Sequence, residues 1–163
     1  MAKLRQKSLQ SQNPSKRQLR AAYLSCVALS LRKTARVVSS IYDDSVRRAG
    51  IRSTQFQILA GLSVMPGISI TGLSESIDAD RTTIQRSLER LIKRGWIESG
   101  RAITGNVREL NVTPAGERKL AEAYEYWESA QKQVVSAIGS KRARGLLREL
   151  KAVRTVNAIE LRG

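Results

Sequence analysis

The chain has 163 residues, with 29 lysines and arginines against 14 acidic residues, and its net charge of +15 makes a polyanion the first partner to consider. An apolar content of 41% is enough to build a core, so the charge does not mark a wholly disordered chain. The absence of histidine excludes histidine triads, HExxH sites and His-containing zinc sites, and the single cysteine, Cys26, excludes an internal disulfide framework.

No apolar run approaches the ~20 residues of a membrane span, and the first twenty residues lack an apolar signal core. The expectation is a soluble, cytoplasmic protein with no cofactor, no metal and no membrane partner. Residues 1–20 hold six basic residues (Lys3, Arg5, Lys7, Lys16, Arg17, Arg20) and no acid, and they read as a flexible basic arm. Residues 21–163 read as one domain.

Within it, Leu24, Val27, Ala28, Leu31, Ala35, Val38, Ile41, Tyr42 and Val46 fall at helical spacing and predict a long first helix, ended by Gly50. Ser53 or Thr54 is expected to cap a second helix with Phe56, Leu59 and Ala60, which Pro66-Gly67 stops. Ser69 or Thr71 starts a short third helix carrying Leu73 and Ile77, and Asp80 caps a fourth that runs from Arg81 to about Arg94. The period then switches: residues 96–99 and 109–112 are strand-like, with a turn at Thr104-Gly105-Asn106, which predicts a β-hairpin. Thr113-Pro114 opens a fifth helix with Leu120, Tyr124, Trp127, Val134 and Ile138 near a heptad seam, and Gly139 separates it from a last helix.

Two short helices, a tight turn and a two-stranded hairpin follow the order of a winged helix-turn-helix, in a mainly α chain. The fourth helix has two chemical faces. With Ile84 at the origin, Leu88, Leu91 and Ile92 lie within about 80° of it and form a stripe for burial. The other side carries Thr82, Thr83, Arg86, Arg90 and Lys93, flanked by Gln85 and Glu89. Arginine, glutamine and threonine are side chains that read base edges in a major groove. An ordinary solvated helix face is the bland alternative, but residues 81–108 hold seven basic residues and two acids, which favours DNA.

The segments STQFQILAGL (53–62), DADRTTIQRSLERLIKRGWIE (78–98) and VTPAG (112–116) resemble the MarR family of bacterial transcriptional regulators, and with the flanking helices the similarity spans roughly residues 22–160. The resemblance implies a homodimer held by the first helix (21–50) and the last two (114–163), around a winged helix-turn-helix (51–113). It implies double-stranded DNA as partner, a pseudo-palindromic operator, and repression relieved by a small ligand or an oxidant. Thr82, Thr83, Gln85 and Arg86 are the expected base-reading residues; Ser69, Arg81, Arg90, Arg101, Asn106 and Arg108 are expected to meet phosphates or the minor groove. Family wings carry Asp-Arg-Arg where this chain has Thr104-Gly105-Asn106, so the arm at 1–20 is expected to substitute for the wing-tip arginine.

An effector pocket would, by the same resemblance, involve Tyr23, Arg36 and Tyr42, with Arg36 suiting a small anionic or aromatic ligand. Redox sensing through Cys26 is an alternative; the cysteine of the family's peroxide-sensing branch aligns with Ala28. A nucleoid-associated protein binding DNA without sequence preference is the rival class, since phosphate neutralisation is blind to sequence. An enzyme is not expected: Asp43 and Asp44 are adjacent on a helix and diverge, so they form no acid/base pair.

Overall fold

The computed structural model describes residues 13–104 and 107–160, and the side chains among them outside 101–108 and 156–160. Residues 1–12 of the expected arm, Asn106, and the side chains of Arg101 and Arg108 therefore lie outside the described residues. The chain divides into two compact units, residues 1–37 and 38–163.

The first unit corrects two expectations. Lys16, Arg17 and Arg20 belong to a helix, α1 (Lys16–Ser25), rather than to a flexible arm. Ser15 caps it: its hydroxyl accepts from the Gln18 N–H at 3.3 Å, while the Gln18 side-chain Oε1 accepts the Ser15 N–H at 2.8 Å, a reciprocal capping box. The expected single long helix is also interrupted, because Cys26 is extended (φ −69°, ψ 107°) between α1 and α2 (Val27–Val46). Two side chains favour the break. The Ser25 hydroxyl donates to the Ala21 carbonyl at 2.9 Å, and the Cys26 sulfur accepts the Leu29 N–H at 3.4 Å as a cap for α2.

In the second unit, α2 ends in a 3-10 turn (Arg47–Ala49) closed by Gly50, whose φ of 72° suits glycine. The helix α3 (Ser53–Val64) is capped at Arg52, one residue before Ser53 and two before Thr54, the two caps expected. Gln55 reaches back to accept the Arg52 N–H at 3.0 Å, and the Ser53 N–H is taken by Asp43 of α2 at 2.9 Å. Then come α4 (Ile70–Ile77) and α5 (Arg81–Lys93). Strands β1 (Ile97–Thr104) and β2 (Val107–Val112) pair antiparallel with Ile97 opposite Val112, and the register is irregular beyond Ser99. The long helices α6 (Pro114–Ile138) and α7 (Ser140–Glu160) follow, α6 capped by Thr113 with proline in its first turn.

Two apolar clusters hold this unit. The larger joins Ile58, Leu59 and Leu62 of α3, Leu73 of α4, Ile84, Leu88 and Leu91 of α5, and Ile97 and Leu110 of the hairpin. The second joins Val46, Ala49, Ile51 and Phe56 to Ala123 of α6, and Trp96 and Leu120 pack against both. Along α6 the fully buried positions are the small residues Gly116, Ala123 and Ala130, seven apart, while the larger Tyr124 of the expected seam is 50% exposed. Small residues let α6 run close to its neighbours, and the Ser45 hydroxyl of α2 donates to the Tyr126 carbonyl at 2.7 Å.

Candidate functional site

The helix-turn-helix is fixed by its turn. Asp78, the only non-glycine residue with positive φ among the described residues (55°), ends α4, and Asp80 two residues later caps α5. The Thr83 N–H donates to the Asp80 carboxylate at 2.8 Å. Bonds from the Thr83 side chain and then its N–H hold that carboxyl below its usual range. At the other end, Gly95 takes φ 69° and the chain turns directly into the hairpin, where Arg94 donates to the Gly50 carbonyl at 3.1 Å and stacks over Trp96. Arg94 therefore serves the fold.

Between these anchors, α5 buries Ile84, Ser87, Leu88 and Leu91. Ile92, expected in that stripe, is 40% exposed, and Ser87 takes the place on the other flank. The outward face carries Thr82, Thr83, Arg86, Arg90 and Lys93, all exposed. Among the described residues, no carboxylate lies within ion-pair distance of Arg81, Arg86, Arg90 or Lys93. Three of those four cations and two threonines thus share one unneutralised helix face.

Beside it a groove of about 350 Å³ runs between α4, α5 and the hairpin, lined by Ser69, Arg81, Gln85, Glu89, Ile92 and Ser99 among others. It brings Ser69, Arg81 and Gln85 together. Ser69 also caps α4, its hydroxyl accepting the Gly72 N–H at 3.0 Å. Glu89 is an acidic member of this wall that the sequence reading left as a flanking residue. The backbone positions of Arg101 and Arg108 lie on β1 and β2.

A second cavity, of about 390 Å³, opens where α2, α3 and α6 meet, lined by Tyr42, Asp43, Ser53, Thr54, Phe56 and Trp127 among others. The chain has two Trp, four Tyr and one Phe. Four of these rings gather here: Trp127 stacks on Phe56 (centroids 5.9 Å) and Tyr124 (5.5 Å), with Tyr42 tilted against it at 6.3 Å. The Tyr42 hydroxyl donates to Gln131, which accounts for the polar residue in the α6 seam, and burial pushes the Tyr42 phenol above its ordinary value. Tyr23 and Arg36 lie on the first unit, both exposed, where Lys33 sits over the Tyr23 ring at 5.4 Å. Among the described residues no cluster of three His, Cys, Asp or Glu could hold a metal, and no helix is long and apolar enough to cross a membrane.

No curated protein matches the chain in sequence. Residues 51–102 match the family model of the MarR family. Among solved structures, the M. tuberculosis transcriptional regulator MosR is 26% identical with a TM-score of 0.69, and its complex with DNA is 25% identical with a TM-score of 0.66; each covers 80% of this chain and 97% of that chain. A mutant MarR from E. coli complexed with operator DNA is 15% identical with a TM-score of 0.72, covering 81% and 96%. BpsR of Bordetella bronchiseptica, whose DNA binding is regulated by 6-hydroxynicotinic acid, is 16% identical with a TM-score of 0.72, covering 78% and 98%. By the matched segment and the shared architecture, the chain has a winged helix-turn-helix fold similar to that of MarR-family transcriptional regulators.

Proposed function

We propose that this chain is a sequence-specific, ligand-responsive transcriptional repressor that binds double-stranded DNA as a homodimer. The observation that carries the reading is the outer face of α5, where Thr82, Thr83, Arg86, Arg90 and Lys93 stand exposed with no acidic partner among the described residues. Thr82, Thr83, Gln85 and Arg86 occupy the first turn and a half and are assigned to base edges. Ser69, Arg81, Arg90, Arg101, Asn106 and Arg108 are assigned to phosphates or the minor groove. MosR in complex with DNA, at 25% identity, supports the partner class.

The dimer is supported by apolar surface that one copy leaves uncovered: Tyr124, Leu146, Leu147 and Val153 on α6 and α7, and Leu19, Tyr23, Leu24 and Val27 on α1 and the start of α2, are all exposed. Two reading heads related by a two-fold axis would place half-sites about 10 bp apart, or a small multiple of that. The ligand-responsive part rests on the aromatic cavity joining the α2–α6 framework to α3.

The test is recovery of bound genomic DNA followed by titration of Arg86→Ala. A bidentate guanine contact predicts a loss of about 1 to 3 kcal/mol on the selected operator and little change on random duplex. Equal losses on both, or none on either, would make the protein a sequence-blind nucleoid component instead.

A further inference from the structure

The aromatic cavity has a charge sign of its own, opposite to that of the protein. Asp43 lines it, and its carboxylate accepts one bond, from the Ser53 N–H at 2.9 Å. Among the described residues no lysine or arginine lies within ion-pair distance of it, whereas the neighbouring Asp44 pairs with Arg47 at 3.2 Å. Ser53 lines the same cavity, and its side-chain oxygen is the one buried polar side-chain atom without a hydrogen-bond partner among the described residues. An orphan hydroxyl of that kind is costly unless something supplies the missing bond. The same cavity is lined by Trp127, Phe56 and Tyr42, and aromatic rings attract cations as well as flat apolar bodies.

We infer that the cavity selects a small aromatic cation, a flat ring system bearing a protonated amine or amidine, with the ring against Trp127 and Phe56 and its N–H groups donating to Asp43 and Ser53. The volume of about 390 Å³ lies within the range of small-molecule sites. The inference rests on the ligand-responsive reading above and fixes the chemistry of that response. Arg36, on which an anionic effector was expected to depend, belongs to the first unit. An anion here would face a half-buried carboxylate with no cation within ion-pair distance among the described residues, and a short-range repulsion of that kind outweighs a diffuse positive field screened by salt.

The test uses the full chain and two probes that share a skeleton, 2-naphthylmethylammonium and 2-naphthoate, titrated by calorimetry at neutral pH. The cation is expected to bind roughly tenfold or more tighter. Asp43→Asn, which keeps an oxygen for the Ser53 N–H, should erase that preference while the melting transition stays near the wild-type value. Naphthoate binding as tightly as the cation in the unmodified protein overturns the assignment without reference to any variant, as does a preference that survives Asp43→Asn. Repeating the titration with bound operator separates the two readings. Release by naphthoate alone overturns the cation assignment and leaves ligand response standing; cation binding with unchanged DNA affinity upholds the assignment and removes the ligand response.

Discussion

Gly116 stands where α6 meets the start of the hairpin, and the backbone there leaves no room for a side chain. A Cβ at this position would lie 2.0 Å from the Trp96 carbonyl oxygen and 2.7 Å from a Val112 methyl. The same carbonyl accepts the Thr113 N–H at 3.0 Å, and the Thr113 hydroxyl donates to the Gly95 carbonyl at 2.6 Å while its oxygen accepts the Gly116 N–H at 3.1 Å. The obstacle is main chain, which cannot rotate away, so Gly116→Ala must displace the first turn of α6. The expected cost is about 1 to 3 kcal/mol in chemical denaturation. Unchanged stability would mean that this junction is looser than its distances imply. Asp80 gives a pH dependence of known sign. Its folded carboxyl sits below the ordinary range, so its contribution is complete above the unfolded value of about 3.9 and is lost as the pH falls through the folded one. Asn caps helices as well as Asp does but does not titrate, so the stability of wild type relative to Asp80→Asn should fall on acidification. Parallel stability curves for the two proteins between about pH 5 and 2 would dismiss the capping account.

At the scale of elements, helix boundaries were legible where capping and breaking residues are local: Gly50, Ser69, Asp80, Gly95, Thr113 and Gly139 all mark the ends expected of them. What could not be read was decided elsewhere. Apolar spacing runs unbroken across Cys26, so the interruption between α1 and α2 was invisible to periodicity and depends on the Ser25 and Cys26 side-chain bonds. The first residue of α3 was misplaced because Asp43, ten positions away, supplies the acceptor for the Ser53 N–H. The buried arc of α5 runs from Ser87 through Leu91 and Ile84 to Leu88, about 100° wide, and leaves Ile92 just outside it. A wheel built on apolar residues alone rotates that arc toward Ile92, because it gives no weight to a small serine packed against the neighbouring helices. This orientation is testable. Leu91→Ala should cost about 2 to 5 kcal/mol, as expected for a fully buried leucine. Ile92→Ala should cost less than about 1 kcal/mol. Comparable losses would mean that the helix is turned toward the sequence-based wheel, and the outward face with Arg86 and Lys93 would turn with it.

For the whole molecule the charge of +15 is informative only through where it meets DNA and how many times. Each phosphate neutralised on B-form DNA contributes about −0.9 to the slope of log affinity against log salt concentration. In a homodimer that engages both half-sites, one substitution removes the same contact twice. Lys93 is exposed and lies on the outer face of α5 with no acidic partner among the described residues. If it meets a phosphate in both heads, Lys93→Ala should flatten the slope by about 1.8 per bound protein, against about 0.9 if only one head engages. The change should be the same on operator and on random duplex, because a phosphate carries no sequence, which separates it from the operator-selective loss expected at Arg86. Assembly can be varied in the same assay. Leu147→Asp places a charge on exposed apolar surface of α7. It should convert a sedimenting dimer to monomer and roughly halve the parent slope, since each binding event then carries half the phosphate contacts. A Leu147→Asp protein that sediments as a monomer yet keeps the full slope would show that one copy makes all the contacts, and the two-headed arrangement would fall with it.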